Sequence, residues 1–263
     1  MDNFVFKKSL GQNFLVDNNI IHKIVDSANI DKDTFVLEIG PGRGAITKEL
    51  VPRSQFSLLY EIDSRLEKEL RRLLDDYDNY SLIIEDFLKA DVKGVLSNYS
   101  YSKLYIVANL PYYITSPIIM KFIDDEILPD RIIIMVQKEV AERLSAKKGT
   151  RDYGSLTVLL NYYYDIGRLF DVSRYCFVPR PNVDSSVICM NLKKDRLYVK
   201  DYSFFKKFVR DCFFMKRKNL RNNLRKYDLD RIDVLLKEKG YSLENRAEEL
   251  SLEFFVDMAN KLV

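Results

Sequence analysis

The chain has one histidine and three cysteines in 263 residues, and no apolar run approaching 18 residues. Each scarcity argues against a class of function. His22 lies between Ile21 and the Ile24-Val25 pair on an expected amphipathic helix, with nothing to place it beside a serine or cysteine nucleophile. Hydrolase triads and histidine-based metal sites are therefore disfavoured, and His22 reads as a helix-surface residue. Cys176, Cys189 and Cys212 are odd in number, widely spaced and without a C-x-x-C pair. They suit ordinary reduced thiols better than a disulfide framework or a zinc site, and no metal is expected. Without a long apolar segment there is no candidate membrane span. Residues 1–15 carry Lys7-Lys8 and Gln12-Asn13 where a signal peptide would have an apolar core, so a cytoplasmic protein is expected. Repeats and low-complexity tracts are absent.

What is present suits a folded α/β protein. With 47% hydrophobic residues the chain can bury a sizeable core, as one large domain or one domain with an appendage. Its net charge of +3 hides an uneven distribution. Residues 191–227 hold 13 Lys/Arg against 3 Asp, whereas 1–190 sum to −3 and 228–263 to −4.

The most informative stretch is T-F-V-L-E-I-G-P-G-R-G-A at 34–45. Its first four residues are β-branched or apolar enough for a buried strand, and Gly40, Gly42 and Gly44 interrupt it where the next helix begins. Such a loop turns sharply and lets backbone N–H groups approach a ligand, as nucleotide-binding turns do. The spacing Gly40-x-Gly42-x-x-Ala45 also satisfies the dinucleotide fingerprint, so the loop alone leaves NAD and S-adenosylmethionine both open.

Around this loop, residues 4–8 read as a loose basic arm. Asp17 offers an N-cap to a helix patterned by Ile20, Ile21, Ile24, Val25 and Ala28. Further strands are expected at 56–60, 81–84, 104–108 and 131–136, alternating with helices near 46–51, 64–74 and 116–122. That alternation predicts a doubly wound parallel sheet covered on both faces. Helices at 138–146 and 155–161 follow, and strands at 166–170 and 186–190 would form an antiparallel edge. After residue 202 only short helices are expected, at 204–214, 230–239 and 246–262. The expected domains are 1–195 and a small helical 196–263.

In such a sheet, ligands bind at the carboxyl ends of the strands. Glu61, with Ile62 beside it, comes 21 positions after Gly40 and can accept both ribose hydroxyls of a nucleoside. Asp86 can accept an exocyclic adenine amine, with Phe87 adjacent. Asn109-Leu110-Pro111-Tyr112 places an amide at the end of the fourth strand, then a proline that holds Leu110 extended and has no N–H. The Asn109 side-chain oxygen and the Leu110 carbonyl can take the two hydrogens of an amino group on a purine, and Tyr112 can stack on the ring. Held so, the nitrogen pyramidalises and its lone pair can attack a sulfonium methyl group. Phe177, on a loop stiffened by Pro179 and Pro181, offers a second aromatic wall.

With these residues the sequence resembles the small-subunit (16S) ribosomal RNA adenine N6,N6-dimethyltransferases, the KsgA group, along essentially its whole length. The matching segments, in order, are L-G-Q-N-F-L at 10–15, E-I-G-P-G-R-G at 38–44, N-L-P-Y at 109–112, K-K-G-T-R-D-Y-G at 147–154 and F-V-P-R-P-N-V-D-S at 177–185. The resemblance implies a doubly wound, Rossmann-like α/β S-adenosylmethionine methyltransferase sheet with a small C-terminal helical domain. It implies that Asn13, Leu15, Gly40, Glu61, Asp86 and Asn109 contact the cofactor, and that Asn109 to Tyr112 with Phe177 hold the target adenine. The implied substrate is two neighbouring adenosines near the 3′ end of small-subunit ribosomal RNA, each methylated twice within a pre-30S particle by a monomer. A macrolide-resistance-type methyltransferase of large-subunit RNA, a ribosome-assembly factor without turnover and an NAD oxidoreductase remain the competing readings.

The basic region reads as the RNA footprint. Lys216, Arg217 and Lys218 are followed by Arg221, Arg225 and Lys226 at spacings that place several on one side of a helix, which Phe213 and Phe214 would pack onto the catalytic domain. Lys147, Lys148 and Arg151, in the glycine-flanked loop, form a second basic group for the same role.

Overall fold

The computed structural model describes residues 6–7 and 10–263; the rest of the basic arm expected at 4–8 lies outside them. Nine strands and eleven α-helices are assigned among these residues. In chain order they begin β1 (Phe14–Leu15), α1 (Asn18–Ala28), β2 (Thr34–Ile39), α2 (Thr47–Leu50), β3 (Phe56–Glu61), α3 (Glu67–Leu73), β4 (Tyr80–Ile84), α4 (Val92–Leu96), β5 (Lys103–Asn109), α5 (Thr115–Asp124), β6 (Arg131–Gln137) and α6 (Lys138–Leu144). They continue with α7 (Ser155–Tyr163), β7 (Tyr164–Val172), β8 (Phe177–Val178), β9 (Ser185–Leu192), α8 (Tyr202–Cys212), α9 (Leu220–Asn223), α10 (Leu229–Lys237) and α11 (Leu252–Leu262).

Seven strands form one sheet in the order β4-β3-β2-β5-β6-β9-β7. The pairs from β4 to β6 are parallel, and β9 runs antiparallel to β6. The chain winds outward from β2 through β3 to β4, then returns to place β5 on the other side of β2. This reversal opens a crevice at the carboxyl ends of β2 and β5. All six residues of β2 are buried, as a strand covered on both faces must be. One covering helix is α1. Asp17 caps it by accepting the Asn19 and Ile20 N–H groups at 2.9 and 3.3 Å, worth about 1 kcal/mol. Asn29 ends it in the left-handed region. Its Ile21, Ile24, Val25 and Ala28 share a core with Val36, Val107, Ile133 and Met135 of the sheet.

Packing divides the chain into two compact units, one of 1–141 with 167–192 and the other of 142–166 with 193–263. The sequence places 142–166 with the first domain; by packing these residues belong to the second unit. The first unit carries a net −4 and the second +7. In the second, α7, α8 and α11 pack on one another. Phe205, Phe208, Val209 and Cys212 of α8 are buried, as are Phe254, Phe255 and Met258 of α11.

One expected helix is not formed. Residues 213–219 make a turn, and only the short α9 follows. The Asn223 side chain accepts the Met215 N–H at 2.7 Å and donates to the Met215 and Lys218 carbonyls, which closes the turn on itself, while Asn219 caps α9. Lys216, Arg217 and Lys218 therefore sit on a loop, where helical spacing does not set their faces, while Arg221 lies in the single turn of α9. Phe213 packs its ring against Tyr153 and Phe255 of the same unit, whereas Phe214 is 81% exposed.

Candidate functional site

A cleft opens in the first unit at the crevice between β2 and β5. It gathers most of the residues picked out in the sequence: Asn13, Leu15, Gly40, Gly42, Glu61, Ile62 and the run Asn109 to Tyr112. Three more lie elsewhere. Phe177 is 3% exposed and packs in the core with Leu15, opposite which it pairs in the small β1–β8 ladder. It backs the wall of the cleft without lining it, because the ladder turns its ring inward. The Phe87 ring is wedged between Tyr60 and Phe122 in the core. Asp86 is half-buried outside the lining, with Oδ1 accepting the Leu88 N–H at 3.0 Å and Oδ2 3.7 Å from Lys89.

Glu61 is the last residue of β3 and is 4% exposed. Its Oε2 accepts the Gly42 N–H at 3.0 Å and its Oε1 the Asp63 N–H at 2.8 Å. Burial pushes its carboxyl above the usual range, and these two backbone bonds oppose the rise. Each oxygen still has a lone pair for a ligand. The glycine loop makes this possible. Gly42 has φ +60°, and a Cβ there would stand 2.9 Å from the Phe14 ring. Any side chain would push back residues 10–16, which line the cleft. Those residues are held from the other side by Asp63, whose Oδ2 accepts from the Gln12 side chain at 2.8 Å. Arg65 hydrogen bonds, then Gln12, hold the Asp63 carboxyl well below the usual range.

At the end of β5 the Asn109 side-chain nitrogen donates to the Asn13 carbonyl at 3.2 Å. This commits the NH₂ group and leaves Oδ1 with no partner among the described residues. The Leu110 carbonyl likewise accepts no hydrogen bond from them, while its N–H is held by the Met135 carbonyl at 3.2 Å. Two unspent acceptors thus adjoin Tyr112. The Tyr112 hydroxyl lies 2.6 Å from Ser185 Oγ, which fixes the ring, and burial raises its pKa so that it stays protonated.

Sequence reasoning missed several members of the site. Glu38 lines the cleft at 1% exposure with an unpartnered Oε2. Its pKa is pushed up to about 8, chiefly by burial and further by the neighbouring Glu61. The signal was available as one acid within the otherwise apolar T-F-V-L-E-I. Gln12 and Ser185 were legible only as motif letters. Nothing local ties Ser185 to Tyr112, 73 positions away.

Of the basic residues, Lys216, Arg217 and Lys218 are exposed and form no ion pair among the described residues, whereas Arg221 pairs with Glu244 at 2.9 Å. Lys147, Lys148 and Arg151 are exposed on a loop of the same unit. The Gly149 N–H of that loop donates to the Glu248 carbonyl, and the Arg221 N–H donates to the Leu243 carbonyl. Both basic segments are therefore tied to 243–248.

A family model described as ribosomal RNA adenine dimethylase matches residues 3–263. Two curated relatives named ribosomal RNA small subunit methyltransferase A cover nearly the whole chain. The one from Geobacillus sp. (strain WCH70) is 43% identical over 98% of this chain and 92% of its own. The one from Bacillus mycoides (strain KBAB4) is 42% identical over 99% and 92%. Among solved structures, a dimethyladenosine transferase from Plasmodium falciparum is similar with a TM-score of 0.78 and 26% identity, covering 93% of this chain and 95% of its own. The 23S rRNA methyltransferase ErmE has a TM-score of 0.71 and 29% identity, covering 95% and 99%.

Proposed function

The chain belongs to the ribosomal RNA adenine dimethylase family, and from that premise we propose that it dimethylates N6 of two adjacent adenosines near the 3′ end of small-subunit ribosomal RNA. Its curated relatives are named for the small subunit at about 43% identity, which favours this over the large-subunit reading that the likeness to ErmE keeps in view. The observation that carries the chemistry is the pair of unspent acceptors, Asn109 Oδ1 and the Leu110 carbonyl, in one cleft with Glu61.

S-adenosylmethionine fits this cleft. Its ribose hydroxyls suit the remaining lone pairs of Glu61, and its cationic groups suit a site holding two buried carboxyls, one with an unpartnered oxygen. It would supply an electrophilic methyl group on a sulfonium. Asn13, Leu15, Gly40, Gly42 and Ile62 would complete its walls. Asp86 would offer an acceptor to the adenine amine, while Phe87, its ring in the core, has only its backbone to offer. For the target base, Asn109 and Leu110 take the two amino hydrogens and set the nitrogen lone pair out of the ring plane. Pro111 adds no competing donor. Tyr112 stacks on the base, and Phe177 supports the wall from behind. Lys147, Lys148, Arg151, Lys216, Arg217, Lys218 and Arg221 hold RNA phosphates on the second unit.

Transfer of labelled methyl groups to small-subunit particles from a strain lacking this activity tests the proposal, with mass spectrometry of both ribosomal RNAs. Dimethylated adenosines should appear in small-subunit RNA. Label confined to large-subunit RNA would overturn the substrate assignment and reinstate the resistance-type reading.

A further inference from the structure

Tyr175 is 66% exposed, two residues before the buried Phe177. An exposed tyrosine on a loop next to a ligand cleft is an ordinary surface residue unless something orders it, and here two arginines of its own loop stand near the ring. The Arg180 guanidinium stands 4.2 Å from the Tyr175 ring centroid, and Arg174 stands 6.0 Å away. Arg174 is itself pinned: its guanidinium donates to the Asn182 carbonyl at 2.9 Å and its backbone N–H to Asp184 Oδ1 at 3.0 Å. The Val16 N–H donates to the Cys176 carbonyl at 2.9 Å, and Phe14 pairs with Val178. The loop is thereby fastened to the residues that line the cleft. Arg180 differs from its neighbour in that no carboxylate pairs with it among the described residues, so its N–H edge is open.

A reaction at N6 requires the target adenosine to be unpaired and turned out of its stack, which strips the flanking bases of a neighbour. Bases so exposed are held on tyrosine faces and guanidinium planes, and the phosphate between them by the guanidinium edge. Tyr175 and Arg180 offer these surfaces already assembled, on the loop that backs the target-base wall. We propose that they form a stacking shelf for an unpaired base flanking the target adenosine, with Arg180 also contacting its phosphate. This rests on the function proposed above and adds a contact that fixes where the RNA strand runs.

The test uses the full chain and small-subunit particles from a strain lacking the activity. Tyr175→Ala should raise the KM for particles roughly tenfold, as loss of one base–aromatic stack does, and leave the rate at saturating particles close to that of the parent. Tyr175→Trp should restore the parent KM. Arg180→Ala should lower the slope of log affinity against log salt by about 0.7, the loss of one single-strand phosphate contact. Calorimetry should give all three variants the parent's affinity for S-adenosylmethionine, which establishes that they are folded. If Tyr175→Ala methylates with the parent's KM, the shelf is surface only while the proposed function stands. A parent that transfers no methyl group to RNA would overturn both.

Discussion

Replacing Glu38 by glutamine removes a titration while keeping the shape of the side chain. In the folded protein this carboxyl is pushed up to about 8 from an ordinary 4.5, because burial penalises the charged form and the Glu61 charge reinforces the rise. Below 4.5 both folded and unfolded chains hold the proton, and Glu38 has no effect on the pH dependence. Between 4.5 and about 8 the folded chain keeps a proton that the unfolded chain releases, so stability falls as pH rises through this window. Above it the penalty is complete. At about 1.4 kcal/mol per pH unit, the window sets a ceiling of about 5 kcal/mol, which water entry and local relaxation reduce to a few kcal/mol. Glutamine at this position contributes no such slope. The assay is urea unfolding of both proteins by circular dichroism at several pH values across the window. Glu38→Gln should gain on the parent steadily as pH rises. A difference that stays constant across the window would refute the burial argument and mean that Glu38 is already ionised in the folded state.

Glu61→Ala should weaken S-adenosylmethionine binding by about 1 to 3 kcal/mol, measured by calorimetry, because the ribose hydroxyls lose their acceptor; unchanged affinity would remove Glu61 from the site. The same change strands the Gly42 and Asp63 N–H groups, so a lowered unfolding midpoint should accompany it. Asn109→Ala should spare the fold and reduce methyl transfer by about a hundredfold or more, by analogy with loss of a single oxyanion-hole donor, and near-parent turnover would rule out the proposed geometry. Neutralising Lys216, Arg217, Lys218 and Arg221 together should flatten the salt dependence of RNA binding with cofactor affinity intact. Filter binding with the parent's slope would shift the footprint to Lys147, Lys148 and Arg151.

The parallel strands were legible because each is a short, largely apolar run bounded by turn residues, and the cleft followed from where those runs end. Asn109 to Tyr112 was legible for a chemical reason: an amide followed by a residue locked extended by proline offers acceptors and few donors wherever it folds. What the sequence could not carry was orientation set by distant partners. Phe177 reads in the sequence as a second aromatic wall on a stiffened loop, but pairing of Val178 with Phe14 turns it inward. The spacing of Lys216 to Lys226 suggested one helical face, yet two asparagines, Asn219 and Asn223, spend their amides on the turn instead. Residues 142–166 follow the sheet in sequence, but their packing partners, such as Phe213 against Tyr153, come from the end of the chain.

The glycine loop alone admitted both NAD and S-adenosylmethionine, and the charges around it separate the two physically. A dinucleotide rests its pyrophosphate on free N–H groups of such a loop, which must present positive potential. Here the Gly42 N–H is already spent on Glu61, and Glu38, one strand over and equally buried, adds a second carboxyl. The nearest cation of the lining, Arg43, is matched by Glu69 at 2.7 Å. A pyrophosphate placed here would face two carboxyl groups with no basic residue to spare. A ligand carrying a sulfonium and an ammonium would instead relieve the strain of holding these acids together. It would also draw the proton off Glu38, so S-adenosylmethionine affinity should rise with pH up to about 8. Calorimetry at neutral pH in two buffers of different ionisation enthalpy would detect that proton directly. Binding without proton release would mean that the positive charge lies away from Glu38, and the electrostatic case against a dinucleotide would then rest on Glu61 alone.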